Sequence, residues 1–216
     1  MTQEGVEKSF VFGRMIRSDA QIFEFGCSRN SIPALTLGSM IEVDLDTDTT
    51  IYAVISNIRY ISDTMVAQLA AADDLPENVT ENHRWTDTPV IEAVMIGFEQ
   101  DGQIIQTLPP RPPVWLEYVR LCAPPAISRF TCHSLEYLQL LLNVRDLIPL
   151  PSVLAAHLAS THAINQAHQQ GQWLQSAIDY LTGLLLLEYD LLLNVLSALV
   201  QQLPDIAFMD WGPDEP

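Results

Sequence analysis

Positive charge is scarce in this chain of 216 residues, which has 10 lysines and arginines against 27 acidic residues and a formal net charge of −17. Lys8 is the only lysine, and no G-x-x-x-x-G-K-[ST] loop for binding phosphates occurs. A duplex-binding surface needs clustered basic residues, whereas these are scattered singly. The sequence therefore excludes a P-loop ATPase and argues against direct contact with nucleic acid. The acidity favours solubility, with a docking site for a basic partner as the alternative.

Cysteine is also rare, with only Cys27, Cys122 and Cys132 in the chain. Their spacing is unpaired, which is typical of reduced thiols in a cytoplasm. No positively charged, apolar leader opens the sequence. The apolar run from Leu181 to Val200 contains Glu188 and Asp190, whose charges are costly in a bilayer. We therefore expect a cytoplasmic protein that has no membrane partner.

The first half of the chain is rich in β-forming residues. Short runs alternate with acidic and glycine-containing turns, and Asp101-Gly102 predicts a tight hairpin turn. Six or seven short strands in this order suit a closed barrel, which removes exposed strand edges. Residues 62–88 interrupt the strands, with a short helix expected at 63–72 and an acidic segment at 73–88. That segment is either a solvated loop or an arm that contacts a partner.

The order and spacing of six segments resemble a known family. They are Phe10–Ile16 (FVFGRMI), Leu37–Val43 (LGSMIEV), Tyr52–Ile58 (YAVISNI), Glu92–Phe98 (EAVMIGF), Asp101–Gln106 (DGQIIQ) and Pro109–Leu116 (PPRPPVWL). Together they resemble the HerA–ATP synthase (HAS) barrel, found at the N-terminus of HerA-type hexameric DNA translocases and of the catalytic-ring subunits of rotary ATP synthases. The resemblance covers about half of the chain and implies a clamp that joins ring subunits and offers a surface to accessory proteins. The ATPase domain that follows the barrel in HerA-type proteins has no counterpart here.

The second half is predicted to be helical. Apolar residues at helical spacing indicate helices over 134–145, 152–170 and 173–202, and the short connections favour antiparallel neighbours. We therefore expect an α+β protein with a closed β-barrel over 8–123, which includes the insertion 62–88. A three-helix α-helical domain over 127–208 and an acidic tail over 209–216 follow. The tail, which combines aromatic and acidic residues, is a further candidate docking element.

The third predicted helix carries more leucine than one buried face can hold. Its apolar stripe consists of Leu174, Ile178, Leu181, Leu185, Leu192, Leu196 and Leu199. Around the remaining faces lie Leu184, Leu186, Leu187, Leu191 and Leu193. The companion helices and the barrel could cover these five side chains; otherwise they face another subunit. They are the candidate partner-binding residues.

The histidines and cysteines, which are often catalytic or metal-binding residues, are not spaced to form a site in this sequence. Three histidines lie on the second predicted helix, at His157, His162 and His168. On a helix the second points about 140° away from the first, and the third lies about 16 Å along the axis, so one ion cannot bind two of them. Adjacent Cys132 and His133 diverge by about 100°. We therefore expect no catalytic residue, no cofactor and no metal site.

Two carboxylates lie inside the apolar run of the third predicted helix. Glu188 and Asp190 are expected to mark the exposed edge of that helix or to meet an arginine such as Arg129 or Arg145. Desolvated acids are functional candidates in principle, but an edge or an ion pair explains these two more simply.

These features favour a non-enzymatic scaffold or accessory protein that assembles through its barrel and its apolar helices. A homo-oligomer is expected, together with one or more protein partners. The alternative is an accessory subunit of a HerA-type DNA translocase or nuclease that processes DNA ends, with a ring ATPase or a nuclease as the partner.

Overall fold

The computed structural model describes residues 11–27, 33–61 and 88–204. The helix expected at 63–72, the acidic segment up to residue 87 and the tail 209–216 lie outside the described residues. The strands are β1 (Val11–Ser18), β2 (Ile22–Cys27), β3 (Met40–Asp44), β4 (Thr49–Ile61), β5 (Thr88–Gln100), β6 (Gln103–Ile105) and β7 (Tyr118–Leu121).

Six of these strands form a closed barrel. Antiparallel pairing runs from β1 through β2, β5, β4, β3 and β7 back to β1, while β6 extends β5 as an extra strand. The pairing of β2 with β5 closes the ring, so the strand order never exposes a long edge within it. The predicted α+β fold with an N-terminal closed barrel is confirmed.

Side-chain alternation fills the barrel interior. The inward positions are apolar, and they include Phe23, Phe25, Ile41, Ile51, Ile91, Met95 and Val119. The hairpin between β5 and β6 turns at Asp101 and Gly102, which have φ angles of 51° and 77°. This geometry confirms the turn predicted from the Asp-Gly pair, because both residue types tolerate positive φ.

Helices occupy the second half of the chain. They are α1 (Pro124–Thr131), α2 (Tyr137–Asn143), α3 (Leu150–Ala167), α4 (Trp173–Leu184) and α5 (Tyr189–Gln202). The predicted three-helix unit therefore contains five helices in the described residues, and the single long helix predicted over 173–202 is wrong. Helix α1 was missed because Pro124-Pro125 predicts a break, whereas proline fits the first turn of a helix.

The helices pack on the outside of the barrel. Outward-facing Met40, Tyr52, Val54, Val94 and Ile96 of β3, β4 and β5 share one apolar core with the helices. Phe130 of α1 lies between the rings of Tyr52 and Tyr137, at centroid distances of 4.7 and 5.5 Å. The outer face of β3, β4 and β5 and the helices thus form a second core, separate from the barrel interior.

One glycine allows a particularly close approach between the two halves. Gly38 has a φ of 81°, and a Cβ added there would lie 2.3 Å from the backbone nitrogen of His157. Only glycine, which has no side chain, fits this contact between helix α3 and the segment just before β3.

The helices form two layers over the barrel. α2 contacts β5 and α3 contacts β4, whereas α5 packs mainly on α3, which α4 also contacts. The α4–α5 pair is therefore the outer layer, with less of its surface covered. No helix in the described ranges is long and apolar enough to cross a membrane.

Candidate protein-binding surface

The turn between α4 and α5 exposes consecutive apolar side chains. Leu186 is 70% exposed and Leu187 is 99% exposed. Further exposed apolar residues flank them on both helices, and we name the whole set the leucine patch: Leu184, Leu186, Leu187, Tyr189, Leu193 and Val200. Single exposed leucines are common on proteins, whereas several exposed apolar residues on one turn and its flanking helices make a candidate interaction surface.

Backbone bonds and one buried leucine fix this turn. Leu185 is buried and its N–H donates to the carbonyl of Leu181, which ends α4. The N–H of Glu188 donates to the carbonyl of Leu185, and α5 then begins. Because Leu185 is the residue of this turn that reaches the core, its neighbours Leu186 and Leu187 are directed to solvent.

An ion pair holds the turn against the segment that follows α2. Arg145 donates to both carboxylate oxygens of Glu188 at 2.5 Å. The expectation that Glu188 meets an arginine such as Arg145 is confirmed. The pair is solvent-exposed, so it orients the turn more than it stabilises the fold.

A groove runs along the α4–α5 surface, and Leu193 and Val200 of the patch line it. It has a volume of about 570 Å³ and is lined by Ile178, Leu193, Leu196, Ser197, Leu199, Val200 and Gln201. Its walls are almost entirely apolar. Such a groove suits a large apolar side chain of a protein partner better than a polar metabolite.

The five candidate leucines do not all share one environment. Leu184, Leu186, Leu187 and Leu193 are exposed and belong to the patch, whereas half-buried Leu191 packs against the helical core. The apolar stripe predicted for the interior is buried, except that Leu196 is half-buried. Sequence reasoning missed Tyr189 and Val200. The spacing of Tyr189, Leu193, Leu196 and Val200 along one face of α5 is the signal that would have found them.

The three histidines lie apart, as their helical spacing predicts. His157 is fully buried and links the two halves: its Nδ1–H donates to the carbonyl of Gly38, and its Nε2 accepts the hydroxyl proton of Tyr137, each at 3.0 Å. Burial lowers the pKa of His157 to about 4, so the ring is neutral. Within residues 11–27, 33–61 and 88–204, no group of three or more His, Cys, Asp or Glu residues could bind a metal ion.

The other two histidines have separate environments. His168 is exposed and bonds the carbonyl of Ile164 through Nδ1, at 2.9 Å. His162 is buried, and burial lowers its pKa. Its Nδ1 has no hydrogen-bonding partner in the described residues.

The cysteines are all free thiols. Cys27 and Cys122 are buried, and burial raises the pKa of both thiols, which disfavours the reactive thiolate. Cys132 is exposed, and its sulfur lies 3.9 Å from the hydroxyl of Ser128. Cys132 ends α1 and His133 follows in the turn, so neither is placed on a shared helix face.

Most of the described arginines form ion pairs with carboxylates. Five of the described arginines form ion pairs: Arg59 with Glu24 and Glu92, Arg111 with Asp46, Arg120 with Glu42 and Asp44, Arg129 with Glu99, and Arg145 with Glu188. A guanidinium that is already paired is less available for a phosphate.

The chain matches no known protein-family model and no curated protein. The resemblance to the HAS barrel therefore stays a prediction.

Proposed function

We propose that this chain is a non-enzymatic scaffold or accessory protein that assembles through the leucine patch, with a copy of itself or another protein as the partner. The observation that carries the proposal is the pair Leu186 and Leu187, which project from a fixed turn beside an apolar groove. The barrel supplies a rigid base, and the outer helices supply the surface that binds.

The physical basis is the free energy of apolar surface in water. Burying apolar area contributes about 25 cal/mol per Å², so covering a few exposed leucines supplies several kcal/mol to association. Ordering costs are small here, because Leu185 and the Arg145–Glu188 pair already fix the turn. The acids that flank the patch favour a partner with basic groups at the rim of its own apolar surface.

The double substitution of Leu186→Lys and Leu187→Lys tests this proposal. We expect the wild-type protein to be oligomeric by light scattering coupled to size exclusion. The variant is expected to be monomeric with an unchanged circular dichroism spectrum, because both side chains lie outside the core. Leu147→Lys is the matched control, since Leu147 is also exposed but lies outside the patch. A monomeric wild type that captures no protein partner from its host would contradict the proposal.

The second candidate role is that of an accessory subunit of a HerA-type translocase or nuclease. The barrel is the feature that favours it. Five of the six resembling segments supply residues to β1, β3, β4, β5 and β6, and the sixth precedes β7. Affinity capture from the host tests this role. Enrichment of a ring ATPase or a nuclease with the wild-type protein, lost with the double lysine variant, would support it. A capture that contains neither would contradict it.

A further inference from the structure

A second exposed apolar surface lies on the barrel. Trp115 is 73% exposed, and three neighbours expose about half of their surface: Ile16, Leu116 and Tyr118. Together with the exposed Arg14 and Arg17 they form what we name the barrel wall. Tryptophan, tyrosine and arginine are the residues that most often dominate the free energy of protein interfaces.

The backbone brings these side chains together. The N–H of Leu116 donates to the carbonyl of Met15 at 3.0 Å, which places Trp115 and Leu116 beside Ile16. The guanidinium of Arg14 lies 4.7 Å from the centre of the Tyr118 ring and donates to its hydroxyl at 3.0 Å. Leu116 adopts a φ of 68°, an uncommon conformation for leucine that the surrounding bonds enforce. The barrel wall is therefore a built surface and not a loose loop.

Charge distinguishes the barrel wall from the leucine patch. Among the described arginines, Arg14 and Arg17 are the two that form no ion pair with another described residue. Nearby Asp19 is already bonded to the N–H groups of Gln21 and Ile22. By contrast, residues 133–204 contain five carboxylates and one arginine, which Glu188 pairs. Asp19 and Glu117, which lies between Leu116 and Tyr118, balance Arg14 and Arg17, so the barrel wall is close to neutral, whereas the helical half is net acidic.

The two surfaces also lie on opposite sides of the molecule. In the ring of six strands, β1 is three strands from β4 in either direction. The helices cover the outer face of β3, β4 and β5, and α4 and α5 form their outer layer. The outer face of β1 therefore points away from the leucine patch, so one molecule cannot join its own two surfaces.

We propose that the barrel wall of one copy docks on the leucine patch of the next copy, with Trp115 inserted into the α4–α5 groove. This proposal rests on the proposed function and names the surface that the leucine patch binds. Because the wall is close to neutral, this head-to-tail contact is favoured over two leucine patches face to face, which would bring carboxylates such as Asp190 together. A contact between different surfaces repeats from copy to copy, so it produces a closed ring or an open chain.

Two assembly variants test the head-to-tail contact. The patch variant is Leu186→Lys with Leu187→Lys, and the wall variant is Trp115→Ser with Arg17→Glu. Each removes one half of the contact, so each alone is expected to be monomeric. A mixture of the two still contains one intact wall and one intact patch, so it is expected to form a complex of one copy of each and nothing larger. Light scattering coupled to size exclusion measures these masses, and circular dichroism confirms that both variants are folded.

Every other pattern of masses overturns part of the scheme. A wall variant that assembles like the wild type, beside a monomeric patch variant, overturns the head-to-tail contact but leaves the proposed function standing. Two monomeric variants whose mixture stays monomeric also overturn it. A wild type that is monomeric by itself overturns the contact between copies, and the host capture then decides whether the patch binds another protein.

A further experiment measures the dissociation constant between copies for the single substitution Trp115→Ser. Truncating a central interface tryptophan is expected to raise the dissociation constant between copies about 30-fold or more. Arg111→Glu is the control for charge reversal on the barrel, because Arg111 is exposed and lies outside the barrel wall. A dissociation constant that Trp115→Ser leaves unchanged would contradict insertion into the groove.

Discussion

The barrel and the outer helices differ in how completely their apolar side chains are covered. In the barrel, each of the six ring strands has two neighbours, and most apolar positions on both faces of β4 and β5 are covered. In the α4–α5 pair, one face is buried and the opposite face keeps leucines in water. A closed sheet satisfies its own edges, whereas a helix layer that is covered on one side leaves any apolar residues of its other face in water. The difference separates the covered strands β4 and β5, which hold the fold, from the α4–α5 surface, which is available for binding.

The largest effect is expected where the two parts meet. Phe130→Ala should lower the free energy of unfolding by about 3–5 kcal/mol, because the ring is fully buried between Tyr52 and Tyr137. Leu187→Ala, which removes a nearly fully exposed side chain, should leave that free energy almost unchanged. Urea unfolding followed by circular dichroism measures both. Equal destabilisation by the two substitutions would mean that the patch belongs to the core.

A pH-dependent effect of intermediate size is expected from His157. Its pKa is lowered to about 4 in the fold, whereas the unfolded side chain keeps the usual value of about 6.5. Between these values the unfolded chain binds a proton that the folded chain does not, so stability is complete above about pH 6.5 and falls as pH drops toward 4. The loss reaches at most about 3 kcal/mol.

Urea unfolding across this pH window, for wild type and His157→Gln, checks the effect. The variant should lose much of the slope, because glutamine does not titrate. His168→Gln is the matched control, since His168 is exposed and bonds only within its own helix. A slope that His157→Gln leaves intact would assign the pH dependence to other groups.

The smallest effect is expected from the ion pair at the turn. Glu188→Gln should barely change the unfolding midpoint, because Glu188 and Arg145 are exposed and water and salt screen their attraction. The same substitution should weaken assembly more visibly if the pair orients the leucine patch. Sedimentation velocity at low and high salt compares the assembly of the wild type with that of Glu188→Gln. Assembly that is insensitive to Glu188→Gln at low salt would show that Leu185 alone fixes the turn.

Local pattern was sufficient for the barrel strands and for most of the buried face of the helices. Alternating apolar residues and the Asp101-Gly102 turn specify strands and a hairpin, since each signal acts over a few residues. The stripe from Leu174 to Leu199 follows the helical period, so its burial was also predictable. The closing pair of β2 and β5 joins distant segments, and no local signal indicates which strands meet.

The sequence alone determined which residues are apolar and at what period; the tertiary structure decided which of them are covered. Leucine favours helix at every position from 184 to 187, so local preference predicts one continuous helix. The chain instead breaks there, and the break lets Leu185 reach the core and α5 pack on α3, which buries apolar surface. That break directs Leu186 and Leu187 to solvent. Burial is a property of what surrounds a residue, so only the packing of α3, α4 and α5 separates the core leucines from those of the patch.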